Sequence, residues 1–311
     1  MISPHVEGVS FLITVYNKEK YVGEVIKSVI AQKGDFQKEI IVVDDGSTDN
    51  SPQIIEQALD GYKHKKIIRQ ANAGPACAFN VGVKAASFSF VKFIDADDAF
   101  HPDATSKLLF HMKDENVAMV IGMGEVYEKH REKFGGSSFF RLDHPLEFVV
   151  RNALSASSET LVRRDIYLEV GGCDQTLFVQ GESYIHRIST NHPIVLSNDE
   201  VGVNIRTEEP GLNDNSLQIE HDRNAAFIRL LKDNPDIPIK IKRMIFRLAA
   251  KRAWRWARNI NKTKFACDSV FWLIIFSYFP WTPVHEMLSP LTLGPYQKGN
   301  RPRVGGGNRE A

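Results

Sequence analysis

Three carboxylates follow directly on an apolar run in the stretch Val91–Asp98, which reads VKFIDADD. The run is typical of a buried β-strand, so the strand would carry Asp95, Asp97 and Asp98 to its carboxyl end. Carboxylates this close together repel one another. A hard cation such as Mg²⁺ or Mn²⁺, which keeps positions open for phosphate oxygens, usually neutralises them. The alternative is a solvated acidic turn that leads into a helix near Pro102.

Apolar runs and helical patterns alternate through the residues that precede this stretch. The predicted strands are Val9–Val15, Glu39–Val43 and Lys66–Arg69, and the predicted helices are Glu19–Gln32, Ser51–Leu59 and Ala76–Ala86. The order βαβαβαβ predicts an α/β fold with a mainly parallel central sheet, right-handed crossovers and helices on both faces.

Polar residues stand at the ends of three of these strands: Tyr16 and Asn17 after the first, Asp44 and Asp45 after the second, and the acid cluster after the last. Ligands of parallel sheets bind beyond the carboxyl ends of the strands, so this rim is the predicted site. The sequence has no GxGxxG after the first strand and no GxxxxGK[ST]. Because neither phosphate-binding loop is present, a metal would have to neutralise the charge of a bound phosphate.

Composition narrows the class of protein. The chain has 311 residues, of which 43% are hydrophobic and 25% are charged, and its net charge is +1. This length suits one large α/β domain with an appendage, or two small domains. The widely separated Cys77, Cys173 and Cys267 predict neither a zinc site nor a disulfide framework, which suits a reducing cytosol. The run Val9–Val15 is too short for a signal peptide, and no stretch reaches the ~18 to 20 apolar residues of a membrane span.

Five motifs in order resemble the family 2 glycosyltransferases, which have a GT-A fold and a nucleotide-sugar donor. The resemblance covers roughly residues 7 to 190 and is far more specific than any single motif. The motifs are ITVYN (Ile13–Asn17), VVDDGSTDNS (Val42–Ser51), NAGPACAFNVGVKAA (Asn72–Ala86), FIDADDAFHPD (Phe93–Asp103) and LVRRDIYLEVGGCD (Leu161–Asp174).

The resemblance implies a donor site along the rim. Tyr16 would stack on the base beside Thr14, and Asp45 would accept a hydrogen bond from the imide N–H of a uracil. The other interpretation of Asp45 is a capping or Asx-turn residue of the DDGS turn. Asp95 would contact the ribose. In the same way, Asn72 and Gly74 are expected at the donor, and Asp97, with Asp98 as a second candidate, would hold the metal that bridges the diphosphate.

The chain departs from the family pattern at two places. Phe79 stands where the family often has an arginine before Asn-x-Gly, so one cationic contact to the donor is missing there. The aspartate of the family's Glu-Asp-x-x-Leu-x-x-Arg pattern, its catalytic base, aligns with Gly181. Glu182 is the candidate base one residue along, and its alternative is a solvated loop residue. His186 is a further candidate, although a histidine inside a helix is more often packed or exposed.

The predicted organisation has four parts. Residues 1–105 are the nucleotide-sugar-binding half of a GT-A domain, and residues 106–225 are its acceptor-binding half. Residues 235–290 form a basic and aromatic helical C-terminal extension, and residues 297–311 form a disordered tail. Within the acceptor half, Phe134–Asp143 is rich in Gly, Ser and Phe and predicts a loop.

The C-terminal extension is basic. Between Ile239 and Lys264 there are ten Lys and Arg residues and no acid, and the apolar residues fall on one helical stripe. The stripe consists of Ile245, Leu248, Ala249, Ala253, Trp256 and Ile260, and the uncharged segment Val270–Trp281 follows. Attachment to an anionic membrane surface is the favoured interpretation. Packing on the catalytic domain and a homo-oligomer interface are the alternatives, and nucleic-acid binding is disfavoured because no companion motif is present.

The resulting hypothesis is an inverting glycosyltransferase that depends on Mn²⁺ or Mg²⁺. It would move a sugar from a UDP-sugar to a glycan or lipid-linked acceptor in surface glycan or glycolipid synthesis, including lipopolysaccharide. The protein would be cytoplasmic or peripheral on the inner face of the plasma membrane. The alternative from another class is a nucleotide-sugar-binding protein that has lost its base, and Gly181 supports this alternative.

Overall fold

The structure is a computed structural model, and it describes residues 6–122, 137–154, 157–177, 180–205 and 216–261, together with residues 275 and 278. An eight-stranded sheet forms its centre, in the order β3-β2-β1-β4-β8-β6-β9-β7, and a two-stranded sheet pairs β10 with β5. The strands are β1 (Val6–Val15), β2 (Gln37–Asp44), β3 (Lys65–Arg69), β4 (Phe88–Asp95), β5 (Asp98–Phe100), β6 (Met119–Gly122), β7 (Phe139–Leu142), β8 (Thr160–Arg163), β9 (Ile194–Ser197) and β10 (Gly202–Asn204).

Helices connect these strands and extend the chain beyond them. They are α1 (Val22–Ile30), α2 (Ser51–Ala58), α3 (Pro75–Ala85), α4 (Ala104–His111), α5 (Leu146–Asn152), α6 (Arg164–Glu169), α7 (Gln180–Asn191), α8 (Ser216–Asp233) and α9 (Ile239–Asn261). The first four strands alternate with α1, α2 and α3, as the sequence predicts, and their mutual pairings are all parallel.

The two faces of the sheet have separate cores. Along β1, Leu12 packs into one core, whereas Phe11 and Ile13 pack into the other, because successive side chains of a strand point to opposite faces. Helix α3 contributes Phe79 to the first core, and α1 contributes Val25 to the second. A strand covered on both faces is mostly apolar, which explains the near-continuous run Val9–Val15, and the buried hydroxyl of Ser10 within it donates a hydrogen bond to Glu39.

The far half of the sheet is mixed. Strand β8 runs antiparallel to both β4 and β6, and β7 runs antiparallel to β9 at the edge. The prediction of a loop across Phe134–Asp143 is therefore wrong for Phe139–Leu142, which form β7. An edge strand is covered on one side only, and the partly exposed residues of β7 give no long apolar run for a sequence pattern to show.

Helices α8 and α9 pack on α5 through a third apolar cluster, which includes Phe227, Ile245 and Phe246. The described part of the apolar stripe of α9 faces the protein interior, since Ile245, Ala249 and Ala253 are all buried. The stripe therefore packs on the rest of the protein, which was the alternative to membrane contact. The segment Val270–Trp281 lies almost wholly outside the described residues, as do Cys267 and the tail at 297–311.

Two further observations on the described residues concern the cysteines and the helices. Cys77 and Cys173 are free thiols, and Cys173 is buried. Within those residues, no helix combines the length and the apolar character that crossing a membrane requires.

Candidate active site

Strand register brings the predicted donor residues together. Val15 of β1 lies beside Asp44 of β2, and Thr14 lies beside Asp95 of β4. The three strands therefore end at the same edge of the sheet, with Tyr16, Asp45 and the acid cluster as their next residues. Tyr16 is 48% exposed, which leaves it open to stack on a planar ligand.

Asp45 fixes the loop that leads into α3. Its Oδ1 accepts hydrogen bonds from the side-chain amide of Gln70 at 2.7 Å and from the backbone N–H of Ala73 at 2.9 Å, and its Oδ2 accepts one from the N–H of Gly74 at 2.9 Å. An ionised carboxylate offers about four acceptor positions, so these three bonds leave capacity for one ligand donor. The capping bond of this turn, from the N–H of Ser47 at 2.9 Å, goes to Oδ1 of Asp44 instead.

Gly46 allows this arrangement. Its φ is +77°, and a Cβ at this position would lie 2.8 Å from the backbone N of Asn72. Glycine therefore permits both the backbone conformation and the close approach of the two loops. The predicted donor residue Asn72 lies against this turn, while Gly74 begins α3 with its N–H committed to Asp45.

The acids after β4 have three different environments. Asp95 is partly buried, its backbone N–H donates to Ser158 Oγ at 2.9 Å, and Gln180 Nε2 lies 3.5 Å from its Oδ1. Asp97 Oδ2 accepts a hydrogen bond from Lys18 Nζ at 2.7 Å. Asp98 pairs with Asn204 in the small sheet. Burial, followed by the like charges of Asp98 and Asp97, raises the pKa of Asp95 to about 7.

A buried lysine lies beneath this cluster. Lys92 is fully buried, donates hydrogen bonds to the carbonyls of Ser158 and Phe93, and has its ammonium 4.6 Å from the ring centroid of Phe100. Burial lowers its pKa to about 7, although the nearby acids, with Glu159 first among them, oppose the shift. The charge of Lys92 therefore compensates the acid cluster only in part near neutral pH.

The acid cluster fits a metal that is shared with a ligand. No group of three or more His, Cys, Asp or Glu side chains surrounds a common point in the described part of the chain. Mg²⁺ is commonly bound by only one or two carboxylates plus substrate phosphates. Asp97 and Asp98 are thus suitable candidates for such an ion, and burial together with the like charges of Asp98 and Asp97 raises the pKa of Asp95 beside them.

Glu182 lies in a buried ion pair. Its carboxylate is 1% exposed, and Oε1 accepts a hydrogen bond from Arg223 Nε of α8 at 2.7 Å. His186 lies one turn further along α7, 3.7 Å from Glu182 Oε2, with its ring 5.3 Å from that of Phe227. Burial lowers the pKa of His186. Neither side chain shows a contact with the acid cluster, so the assignment of Glu182 as the base stays a prediction, as does the lesser candidate His186.

Gln180 is the residue of α7 that reaches the rim, through its contact with Asp95. Gly181 follows it and has no side chain to offer. Phe79 is buried and packs on Phe93 with ring centroids 4.7 Å apart, so it faces the core and not the rim. Sequence reasoning did not single out Gln180, Ser158, Lys92 or Lys18. The signal for Lys92 was a lysine inside an otherwise apolar strand.

A cavity of about 440 Å³ lies among α6, α7, α8 and the loop after α6. Its lining includes His186, Arg187 and Arg229, and Asp174 is paired with Arg229 at 3.1 Å and lies 3.8 Å from Arg187. None of the predicted donor residues lines this cavity. The open rim of the sheet therefore remains the candidate site, since it carries the convergent chemistry.

Comparison with known proteins identifies the fold and the family. The fold is the GT-A fold of nucleotide-sugar-dependent transferases, as two solved structures show. S. aureus TarS 1-349 in complex with UDP-GlcNAc matches with a TM-score of 0.62 at 17% identity, covering 87% of this chain and 79% of that one. Mannosyltransferase PcManGT from Pyrobaculum calidifontis, in complex with GDP-Man and Mn²⁺, matches with a TM-score of 0.63 at 14% identity, covering 96% and 91%.

The chain belongs to Glycosyl transferase family 2, whose pattern matches residues 10–180, more than half of its length. This confirms the predicted family. A curated relative, the poly-beta-1,6-N-acetyl-D-glucosamine synthase of Staphylococcus epidermidis, is 38% identical over 99 residues, which are 32% of this chain and 24% of that protein. The chain thus spans only about a quarter of that relative's length.

Proposed function

We propose that this protein is a glycosyltransferase that moves a sugar from a nucleoside diphosphate, most simply UDP, to an acceptor hydroxyl in surface glycan or glycolipid synthesis. The observation that carries the proposal is the meeting of Tyr16, Asp45 and the acid cluster at the ends of three adjacent strands. Membership of the family supports transfer chemistry, and the relative named above is a poly-beta-1,6-N-acetyl-D-glucosamine synthase. The alternative of a protein that only binds nucleotide sugar is less well supported.

The donor would lie along the rim. Tyr16 would stack on the base, and the acceptor position left on Asp45 would take the imide N–H of a uracil. Asp95 would contact the ribose, with its backbone held by Ser158. Asp97 and Asp98 would hold Mn²⁺ or Mg²⁺. Such an ion, when bound, stabilises the negative charge that develops on a leaving diphosphate.

Transfer would be a single in-line displacement that inverts the anomeric centre. The acceptor hydroxyl must lose its proton to a base. The sequence predicts Glu182 as the base, but its carboxylate is buried and bound to the guanidinium of Arg223, so it would have to leave this ion pair to reach the acceptor. We therefore expect Glu182 to act mainly as an ion-pair residue, and we do not assign the group that takes the proton. The base is therefore the part of the proposal that most needs a direct test.

One face of α9 carries exposed cations that could contact an anionic membrane surface. Lys251 and Arg255 are exposed, and Lys240 is exposed at the start of the same helix. We propose that these cations hold the protein peripherally at an anionic membrane surface, on the cytoplasmic side, where a lipid-linked acceptor would lie. The apolar stripe would not take part, since its described residues are packed inside.

The experiment combines binding with turnover. Calorimetric titration with UDP, with Mn²⁺ or with chelator, would be followed by a transfer or donor-hydrolysis assay. Asp97→Asn should weaken UDP binding in Mn²⁺ by about tenfold or more, because a metal ligand is lost. Asp60→Asn, at an exposed turn, is the matched control. Equal UDP affinity of Asp97→Asn with Mn²⁺ and with chelator would contradict the metal assignment. Binding without any turnover would favour the alternative function.

A further inference from the structure

Lys18 is tied to the proposed metal ligand. Its Nζ donates to Asp97 Oδ2 at 2.7 Å, and both side chains are largely covered, at 22% and 13% exposed. Its backbone N–H donates to Ser51 Oγ at 2.8 Å, at the start of α2. The main chain of Lys18 is thus fixed while its side chain crosses from the end of β1 to the acids that follow β4.

The cation of Lys18 stands where a metal would need the same oxygen. An ammonium 2.7 Å from Asp97 Oδ2 occupies one acceptor position of this carboxylate and repels a divalent ion that binds the same group. Binding of an ion by Asp97 is therefore favoured when Lys18 moves away. The long and flexible lysine stem allows such a movement without a change of backbone.

A cation besides the metal would help to bind a diphosphate at the rim, because charge-assisted hydrogen bonds to phosphate are strong. Helix α3 begins at the rim but has no basic residue before Lys84, in its last turn. Arg69 is held 3.2 Å from Asp44, at the other side of the rim. Lys18 pairs directly with an acid of the cluster at the surface of the rim, whereas Lys92 is buried beneath the cluster and out of reach of a ligand. An ammonium released from Asp97 would then be next to the phosphates of the donor.

We propose that Lys18 exchanges partners: it holds Asp97 before a ligand binds and passes to the diphosphate of the donor when a divalent ion takes Asp97. This inference rests on the proposed function of the same site. In this exchange, Lys18 opposes the binding of a divalent ion when no nucleotide is present, and it favours the binding of the nucleotide when the ion is present. Its removal should therefore shift two affinities in opposite directions.

The test uses the full chain and three variants. Lys18→Met removes the charge and keeps much of the stem, Lys18→Arg keeps the charge, and Lys27→Met alters an exposed lysine of α1 as the matched control. Binding of Mn²⁺ alone is followed by the electron paramagnetic resonance of free Mn²⁺. Binding of UDP in saturating Mn²⁺ is followed by calorimetry, and thermal unfolding verifies that each variant is folded.

Lys18→Met should bind Mn²⁺ alone roughly three- to tenfold more tightly, and UDP in Mn²⁺ about tenfold more weakly, because one charge-assisted contact is lost. Lys18→Arg should retain UDP binding within about threefold, since guanidinium also binds phosphate. Lys27→Met should match the wild type in both measurements. A merely structural role of Lys18 would weaken both affinities together.

Any other pattern for Lys18→Met, including a change in only one affinity or a parallel change in both, overturns the exchange. The proposed function fails separately. If the wild-type protein binds no UDP in the presence of Mn²⁺, the donor assignment is wrong. If the wild type binds UDP and Lys18→Met behaves like Lys27→Met, only the exchange is wrong.

Discussion

Replacing Glu182 by glutamine separates the two roles that this residue could have. The substitution preserves the shape of the side chain and removes both its negative charge and its basicity. As an ion-pair residue, Glu182 joins α7 to α8 through Arg223. As a base, it would act on the acceptor and contribute little to stability. The structure favours the first role, because the carboxylate is covered and already engaged.

The expected size of the effect follows from burial. Removing one partner of a fully buried ion pair destabilises a protein by roughly 3–5 kcal/mol, since the other charge is left uncompensated. Arg223 is 29% exposed, so its guanidinium can regain water, and the loss should be nearer about 2 kcal/mol. For a chain of this length, a loss of that size lowers the unfolding temperature by roughly 3 °C.

The assay compares Glu182→Gln, Arg223→Gln and the double variant by thermal unfolding, and then measures UDP affinity and turnover at a temperature where all are folded. We expect the two single losses to be non-additive, with a coupling on the order of 1 kcal/mol. UDP affinity should be unchanged, and turnover should fall by less than about tenfold. A fall in turnover of ~10²-fold or more with unaltered stability would refute this reasoning and establish Glu182 as the base.

Three other predictions address other parts of the molecule. Burial lowers the pKa of Lys92 to about 7, so the folded state loses this proton at lower pH than the unfolded state does. The free energy of unfolding should therefore rise with pH from about 7 to 10, by up to ~1.4 kcal/mol per pH unit. Denaturant titrations should show a flatter rise for Lys92→Met. Ile245→Ala should lower the free energy of unfolding by about 2–5 kcal/mol without changing UDP affinity, since its cluster is separate from the donor residues. Replacing Lys251 and Arg255 together by glutamine should weaken flotation with anionic vesicles by about tenfold or more at low salt, and high salt should abolish the difference. Equal flotation of this variant and the wild type would exclude the basic face of α9.

The first half of the fold, from β1 to β4, could be predicted because its local signals agree. Each early strand is an apolar run that ends at a polar turn, and parallel strands must bring those turns to the same edge. The shared register of Thr14 with Asp95 and of Val15 with Asp44 follows from this order. Side chains that cross the rim were not predictable in this way. Lys18 reaches Asp97 across 79 positions of the sequence, and no local pattern encodes that contact.

The second half of the fold was less predictable because its contacts depend on packing between distant elements. A helical stripe shows that one face of α9 is buried but does not identify its partner, and the partner turned out to be α8, a helix that the sequence reading had not assigned. Glu182 is a related case. Its distance from Gly181 along the chain is one residue, but on a helix one residue rotates a side chain by about 100°. That rotation directs the carboxylate to α8.

The role of α8 and α9 bears on how attachment to a membrane can be tested. Arg223 and Arg229 of α8 hold Glu182 and Asp174, and Asn224 bonds to the carbonyl of Ala249 and to Arg252 on α9. The two helices therefore support α7, whose first residue, Gln180, contacts Asp95 at the rim. Cutting the chain near residue 234 would remove α9 and expose the apolar cluster that it covers. Loss of vesicle binding after such a cut could then result from unfolding or aggregation. Charge substitutions on the exposed face avoid this problem because they leave the buried stripe in place, and thus they test the electrostatic contribution alone.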